Sequence, residues 1–287
     1  MKKLLCRFHG EQRGAVLVLI SLALIALVVM IALAIDGGYA YAQRRRMQNA
    51  ADAAAISGAR AHGLGGSAAQ VGAAVNQYAT ANGADAVTWA FVNGGVTVQV
   101  TTSCTFPTFF AGIAGLPQMT ASAVAEASIQ YLSEAGNLLP MIVEDRDFVI
   151  GQTYDLWADD PEAPGNFGWV DWDGVPVGAG ELGDNIANPS NSGAWAIGDL
   201  VPAYTGVTTS AGDPLSGWIG QHVTIPFYDL ITGTGSNVRY RVAGFGEFVL
   251  DGYDLSNKRV WGHFIHWVEL GPGGGPDRGL SSVRLTQ

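Results

Sequence analysis

The longest apolar stretch of the chain constrains its fold more than any other feature. Residues 15–35 read AVLVLISLALIALVVMIALAI, with one serine and no charged side chain. As a helix, these 21 residues would extend about 31 Å, which matches a hydrocarbon core of about 30 Å. The stretch therefore predicts a membrane-spanning helix. Two alternatives remain open: a buried core helix, and a cleaved secretory signal with its cleavage site near Ala34.

The charges around this stretch predict its orientation. Residues 1–14 contain one acid, Glu11, and four basic side chains, namely Lys2, Lys3, Arg7 and Arg13. Residues 44–46 are a second basic run, but Asp36 lies between that run and the apolar stretch. The positive-inside rule therefore favours a cytoplasmic basic tail over 1–14. We expect a single-pass protein of the cytoplasmic (inner) membrane, with the amino terminus inside and the C-terminal domain extracytoplasmic.

Charge is also divided unevenly along the chain. Residues 1–63 carry eight Lys or Arg and three Asp or Glu, a net +5, whereas residues 64–287 carry seven and twenty-two, a net −15. These values agree with the overall net charge of −10. An acidic exported region argues against binding to nucleic acid or to anionic lipid.

The rest of the sequence predicts an α+β fold. A juxtamembrane helix is expected over 36–62, loosened where Gly37 and Gly38 leave the membrane. A small α/β unit over 63–132 contains a second helix, a β-hairpin and a third strand. Beyond it, Gly, Pro, Asp and Trp punctuate short β-like runs. They predict an antiparallel β-rich extracytoplasmic domain over 138–287.

Small side chains recur on one face of the predicted juxtamembrane helix. Met47, Ala51, Ala54, Gly58 and Ala61 are spaced by four, three, four and three residues. That spacing places them on a single helix face, where small side chains allow another backbone to approach closely. Two interpretations remain open at this point: packing against the chain's own domain, or lateral contact with a helix of another subunit.

The amino-terminal segment resembles a known family through an ordered set of residues. A glycine precedes the apolar span, and an Asp-x-Gly, an aromatic residue, an arginine and an alanine-rich run follow it. In this chain they are Gly14, Asp36, Gly38, Tyr39, Arg44 and Met47-Gln48-Asn49-Ala50-Ala51-Asp52-Ala53-Ala54-Ala55. With these residues, the segment is similar to the amino-terminal module of Tad (tight adherence/Flp) pilus-assembly proteins, the TadE/TadG-like group.

This resemblance implies a membrane-anchored structural component of Tad/Flp pilus assembly or of the related secretion apparatus. Its partners would be other pilus-assembly or pilin-like membrane proteins, with the lipid bilayer contacted through residues 15–35 and with self-association left open. The residues expected to serve helix packing and assembly are Asp36, Met47, Gln48, Ala51, Asp52, Ala54 and Gly58. The fifth residue after Gly14 is Leu19, where processed pilin-like proteins carry Glu. Cleavage by a prepilin peptidase is therefore not expected.

The sequence carries no motif for catalysis. It lacks His-Glu-x-x-His, Gly-x-Ser-x-Gly and the phosphate-binding Gly-x-x-x-x-Gly-Lys. We therefore predict no enzymatic activity, no cofactor and no metal site.

The alternative from another class is a membrane-tethered surface binding module for carbohydrate or for Ca²⁺-dependent adhesion. Two groups of acids leave calcium open: Asp159, Asp160 and Glu162, and the pair Asp171 and Asp173. Seven tryptophans leave a ligand-binding aromatic patch open. They are Trp157, Trp169, Trp172, Trp195, Trp218, Trp261 and Trp267.

Overall fold

The computed structural model describes residues 12–156, 168–174, 180–204 and 212–286. Its contacts divide the chain into two compact units, each assembled from several segments. The first unit takes residues up to Ala54, Val75–Ala90 and Gln99–Ala125, and the second takes Ala55–Ala74, Phe91–Val98 and Glu126–Gln287. The architecture is α+β, as predicted: a long apolar helix, a few short helices and a large, mainly antiparallel β region.

The chain begins its described part with one long helix, α1, which spans Gln12–Gly63. Within the described residues, α1 is the helix that is long and apolar enough to cross a membrane. Its large apolar side chains from Val16 to Ile35 are exposed. The predicted loosening at Gly37 and Gly38 is wrong, because the helix continues through both residues. A glycine costs a helix only about 1 kcal/mol relative to alanine, and helical turns on both sides outweigh that cost.

A second helix, α2, spans Ala68–Ala81, close to the range that the sequence predicts. Ser67 caps its amino terminus together with Gln70. The Ser67 N–H donates to the Gln70 side-chain oxygen at 2.8 Å, and the Gln70 N–H lies 3.5 Å from the Ser67 hydroxyl. This reciprocal pair is a capping box, which satisfies backbone donors that a helix end leaves free.

Three strands follow in the positions that the sequence predicts. They are β1 (Ala86–Val92), β2 (Thr97–Pro107) and β3 (Gln118–Tyr131). The turn between β1 and β2 contains Asn93 and two glycines, all with positive φ. Side chains of β2 alternate between buried and more exposed positions, which fits a strand with one covered face. The strands β1, β2 and β3 are neighbours in this order.

The described residues of the β-rich part form ten further strands. They are β4 (Glu134–Gly136), β5 (Val143–Glu144), β6 (Thr153–Asp155), β7 (Ala194–Ala196), β8 (Leu200–Pro202), β9 (His222–Thr232), β10 (Arg239–Asp254), β11 (Arg259–Ile265), β12 (Trp267–Val268) and β13 (Leu280–Leu285). Two short helices, α3 (Gly180–Ala187) and α4 (Gly212–Ser216), lie among them.

The largest sheet of the second unit has the order β5-β9-β10-β11-β6, and β8 also pairs with β10. Its centre is the antiparallel pair β9 and β10, whose register runs from Thr232 opposite Arg239 to His222 opposite Val249. Aromatic side chains of the core lie on this pair and on β11, among them Phe227, Phe248 and Phe264, each at most 1% exposed.

The last strand returns to the end of the small unit predicted over 63–132. β13 pairs antiparallel with β3, with Ser281 opposite Tyr131 and Leu285 opposite Ala127, and it pairs parallel with β12. All of these paired residues belong to the second unit. Independent folding of residues 138–287 therefore stays a prediction. Its test must compare fragments with and without the β3 residues that pair with β13.

Candidate functional site

Asp36 lies at the end of the apolar part of α1 and is only 8% exposed. Its carboxylate accepts three backbone hydrogen bonds from the segment after β2. The N–H groups of Phe109, Phe110 and Ala111 lie 2.7, 3.0 and 2.6 Å from its oxygens. Burial raises the pKa of Asp36, but the three N–H donors outweigh burial and leave the pKa below its ordinary value. Asp36 therefore holds this segment against the helix as a carboxylate.

The next turn of α1 continues the same contact through aromatic rings. Tyr39 packs edge-on against Phe106 and Phe109, with ring centroids 5.3 and 5.4 Å apart. Such arrangements add about 0.5–1.5 kcal/mol beyond the burial of their area. Tyr39, the aromatic residue that the family resemblance singles out, thus packs α1 against other residues of the first unit.

The small-residue face of α1 is buried within the chain. Met47, Ala51 and Ala54 are 0% exposed, and Gly58 is buried as well. The Thr102 hydroxyl of β2 donates to the Met47 carbonyl oxygen at 2.8 Å. The sequence left open whether this face packs against the chain's own domain or against another subunit. This burial agrees with packing within the chain. Contact of these residues with another subunit stays a prediction.

Gln48 and Asp52 lie beside that face and are partly buried. The Gln48 amide nitrogen donates to Asp52 Oδ1 at 2.8 Å and lies 3.3 Å from the Val124 carbonyl oxygen on β3. Gln48 thus connects the helix to β3, and Asp52 orients it. Among the predicted site residues, Asp36 thus binds the segment after β2, whereas Met47 and Gln48 contact β2 and β3.

Comparison with known proteins identifies this segment. Residues 14–61 match a family described as putative Flp pilus-assembly TadE/G-like. The segment is similar to a TadE/G-like domain. The match begins at the glycine before the apolar span and ends within α1, so it covers the seven predicted site residues. No curated protein and no solved structure matches the chain.

Three acids outside the segment that matches the TadE/G-like family come together in the second unit. Carboxylate oxygens of Asp171, Asp173 and Glu181 lie within 4.8 Å of one another, a spacing that a shared cation could bridge. Burial raises the pKa of Asp171 and of Glu181, and negative neighbours raise both further. The sequence analysis predicted no metal site and only left calcium open at the pair Asp171 and Asp173; it did not include Glu181. The other predicted acids, Asp159, Asp160 and Glu162, lie outside the described residues.

The tryptophans that the structure describes do not form one patch. Trp169 and Trp172 are core side chains, at most 8% exposed. Trp195 packs against Trp172 with ring centroids 5.9 Å apart, and Arg259 lies over the Trp261 ring at 5.4 Å. Trp157 lies outside the described residues.

Trp218 and Trp267 line a cavity of about 430 Å³ in the second unit, together with His222, Glu247 and Glu269. Glu247 is 2% exposed, and its carboxylate contacts His222 Nδ1 and accepts a hydrogen bond from Thr224 at 2.8 Å. Sequence reasoning missed this cluster. The alternation of β9 and β10 could have indicated it, because Glu247 lies opposite Thr224 and diagonal to His222.

Proposed function

We propose that this chain is a membrane-anchored structural component of Tad/Flp-type pilus assembly or of the related secretion apparatus. In this proposal residues 15–35 of α1 lie in the cytoplasmic membrane, residues 1–14 face the cytoplasm, and the chain from Asp36 onward is extracytoplasmic. The protein acts through protein–protein assembly with other pilus-assembly or pilin-like membrane proteins. It catalyses no reaction.

One observation carries the proposal: the TadE/G-like match coincides with α1. A helix with an exposed apolar half would be insoluble alone, and a bilayer is the environment that such a surface needs. One face of the other half of α1 is buried, with Met47, Ala51 and Ala54 at 0% exposure, and the Thr102 hydroxyl of β2 donates to the Met47 carbonyl oxygen on this face. A continuous helix of this kind can fix the position of an exported domain relative to the membrane.

Orientation is tested by labelling single cysteines in spheroplasts with a membrane-impermeant maleimide. The variants Lys3→Cys and Thr234→Cys are made in a Cys6→Ser background, and Thr234 is exposed. We expect labelling at position 234 without lysis, and at position 3 only after lysis. The reverse pattern would contradict the proposed topology.

Partners are tested by crosslinking in intact cells and affinity purification of the full chain. We expect pilus-assembly membrane proteins to be enriched relative to an unrelated single-pass protein expressed at the same level. Enrichment of surface glycans or adhesion receptors without any pilus-assembly protein would instead favour the alternative, a membrane-tethered surface binding module.

A further inference from the structure

The segment that Asp36 holds against α1 forms an exposed apolar loop, residues 108–117, between β2 and β3. Its side chains Phe109, Ile113 and Leu116 are 61%, 87% and 61% exposed. The sequence around it carries no charged residue between Asp85 and Glu126. Exposed apolar groups of this size on a soluble surface mark a place where something else binds.

The position of this apolar loop along α1 indicates what covers it. Loop residues Phe110 and Ile113 share a cavity of about 570 Å³ with Val28 and Leu33 of the helix. Val28 lies eight residues before Asp36, or about 12 Å along a helix. The loop therefore extends from Asp36 back along the part of α1 that is long and apolar enough to cross a membrane.

The backbone of the apolar loop is also suited to an apolar solvent. A loop exposed to lipid must satisfy its polar backbone groups internally, because hydrocarbon offers no partner. Asp36 accepts from the N–H groups of three loop residues. Four more N–H groups of the loop donate to carbonyl oxygens at 3.0–3.2 Å; they belong to Thr108, Ile113, Gly115 and Leu116. The Thr108 hydroxyl donates to the Leu116 carbonyl oxygen at 2.6 Å.

Aromatic residues mark the expected membrane surface at the same level. Tyr39 and Tyr41 lie three and five residues beyond Asp36, and Tyr41 is 67% exposed. Tyrosine is enriched where a helix leaves the bilayer, since its ring is apolar and its hydroxyl can reach water. When Tyr41 is placed at the membrane surface, Ile113 lies on the hydrocarbon side of Tyr41, beside Val28 and Leu33.

We propose that the apolar loop is a second membrane-embedded element. The side chains of Phe109, Ile113 and Leu116 insert among the acyl chains of the leaflet from which α1 emerges, and the cavity beside Val28 and Leu33 holds acyl chain. The loop thereby fixes the height and tilt of the first unit at the membrane surface. This inference rests on the membrane anchoring in the proposed function.

The test places an environment-sensitive NBD fluorophore on single cysteines of the full chain, in a Cys6→Ser background. Cys104 can stay because it is buried at 6% exposure. The protein is reconstituted in phosphatidylcholine vesicles, and quenching is measured with doxyl-labelled phosphatidylcholine and with aqueous iodide. The loop positions are Ile113→Cys and Leu116→Cys, both exposed and therefore tolerant of substitution.

Two matched positions calibrate the measurement. Leu27→Cys lies in the apolar part of α1 and is 53% exposed, and Tyr78→Cys lies in α2 and is 47% exposed. The carbonyl of Asn82, at the end of α2, accepts a hydrogen bond from Arg46. Arg46 is ten residues beyond Asp36, or about 15 Å along the helix and away from the apolar part.

We expect doxyl lipid to quench positions 113 and 116 as it quenches position 27, and iodide to quench them at least about threefold less than position 78. Iodide quenching at both loop positions equal to that at 78 would overturn the proposal. Protection of both from the two quenchers would also overturn it, since protein would then cover the loop. Absence of lipid quenching at 27 would overturn the anchoring itself and the loop insertion with it.

Discussion

Asp36 is the residue on which the arrangement of the first unit depends most directly. Its carboxylate accepts the N–H groups of Phe109, Phe110 and Ala111, and no neutral side chain of the same size can accept all three. The family resemblance singled out this position without indicating what it does. Its partners lie more than seventy positions away in the sequence, so spacing could not indicate them.

Replacing Asp36 by Ala should release the apolar loop while α1 remains helical. We expect the amides of Phe109, Phe110 and Ala111 to exchange with deuterium at least about tenfold faster in the full chain in detergent micelles. Hydrogen–deuterium exchange resolved by mass spectrometry measures this. Asp52→Ala is the control, since Asp52 contacts Gln48 and its loss should leave these amides unchanged. Equal exchange in both variants would contradict the proposed role of Asp36.

Glu181 should make stability depend on pH. Burial raises its pKa, and the charges of Asp171, Asp173 and Asp184 raise it further. A carboxyl group whose folded pKa is raised contributes stability at acidic pH, and this contribution is lost as pH rises through the folded pKa. Glu181→Gln should therefore raise the melting temperature of the full chain at pH 7.5, with the gain shrinking toward pH 4.

Asp254→Asn is a control of opposite sign. Hydrogen bonds from the side chains of Ser256 and Asn257, reinforced by their backbone N–H groups, lower the pKa of Asp254 to about 2. Its stabilising contribution is present at neutral pH, so Asp254→Asn should lower the melting temperature at pH 7.5. A Glu181→Gln variant that melts lower than the wild type at pH 7.5 would show that repulsion among the acids does not dominate there.

At the scale of elements, two substitutions on α1 distinguish packing within the chain from contact with another subunit. Ala54 is 0% exposed, whereas Ala53, one position along, is partly exposed. Ala54→Leu should overpack the contact and lower the free energy of unfolding by about 1–3 kcal/mol. Ala53→Leu should change it little, because that side chain points about 100° around the helix. Thermal unfolding of both variants in detergent measures the difference.

The opposite outcome of this pair of substitutions is equally informative. Both variants retain good helix formers, so helix propensity does not distinguish them. If Ala54→Leu unfolds at the temperature of the wild type but loses crosslinks to pilus-assembly partners, the face serves contact between subunits. Equal effects of the two substitutions on stability and on crosslinking would remove the packing-face argument altogether.

Sequence periodicity predicted the elements whose contacts are local. The apolar run predicted the first part of α1, and the small unit over 63–132 was predicted to contain a second helix, a β-hairpin and a third strand, which are α2, β1–β2 and β3. The expected loosening at Gly37 and Gly38 was wrong because it considered only the low helix propensity of the two glycines. The helical turns on both sides stabilise the helix there. His222 and Glu247 were missed because only the register of β9 and β10 brings them together. The place of the apolar loop beside α1 could not be predicted from local pattern, because it depends on hydrogen bonds to the distant Asp36.

At the scale of the whole molecule, β13 pairs with the end of β3, which precedes the domain predicted over 138–287. A strand loses its hydrogen-bonded neighbour when the chain is cut between them. Residues 126–287 should therefore melt cooperatively and a few degrees above 138–287. A difference of 1 kcal/mol corresponds to about 2–4 °C at this size. Calorimetry of the two fragments tests this, and a disordered 126–287 fragment would show that this region does not fold independently.

The central claim is that the chain builds pili as a membrane-anchored structural protein. The most direct measurement is the number of surface pili per cell, counted by electron microscopy in a strain that lacks the gene. The strain carries an empty vector, the full chain, or residues 36–287, which keep Asp36, behind a cleavable secretion signal, with the two proteins expressed at the same level. We predict loss of pili with the vector, recovery with the full chain and no recovery with the unanchored chain. Pilus numbers that stay at the wild-type level in the deletion strain, or that the unanchored chain restores fully, would contradict the account.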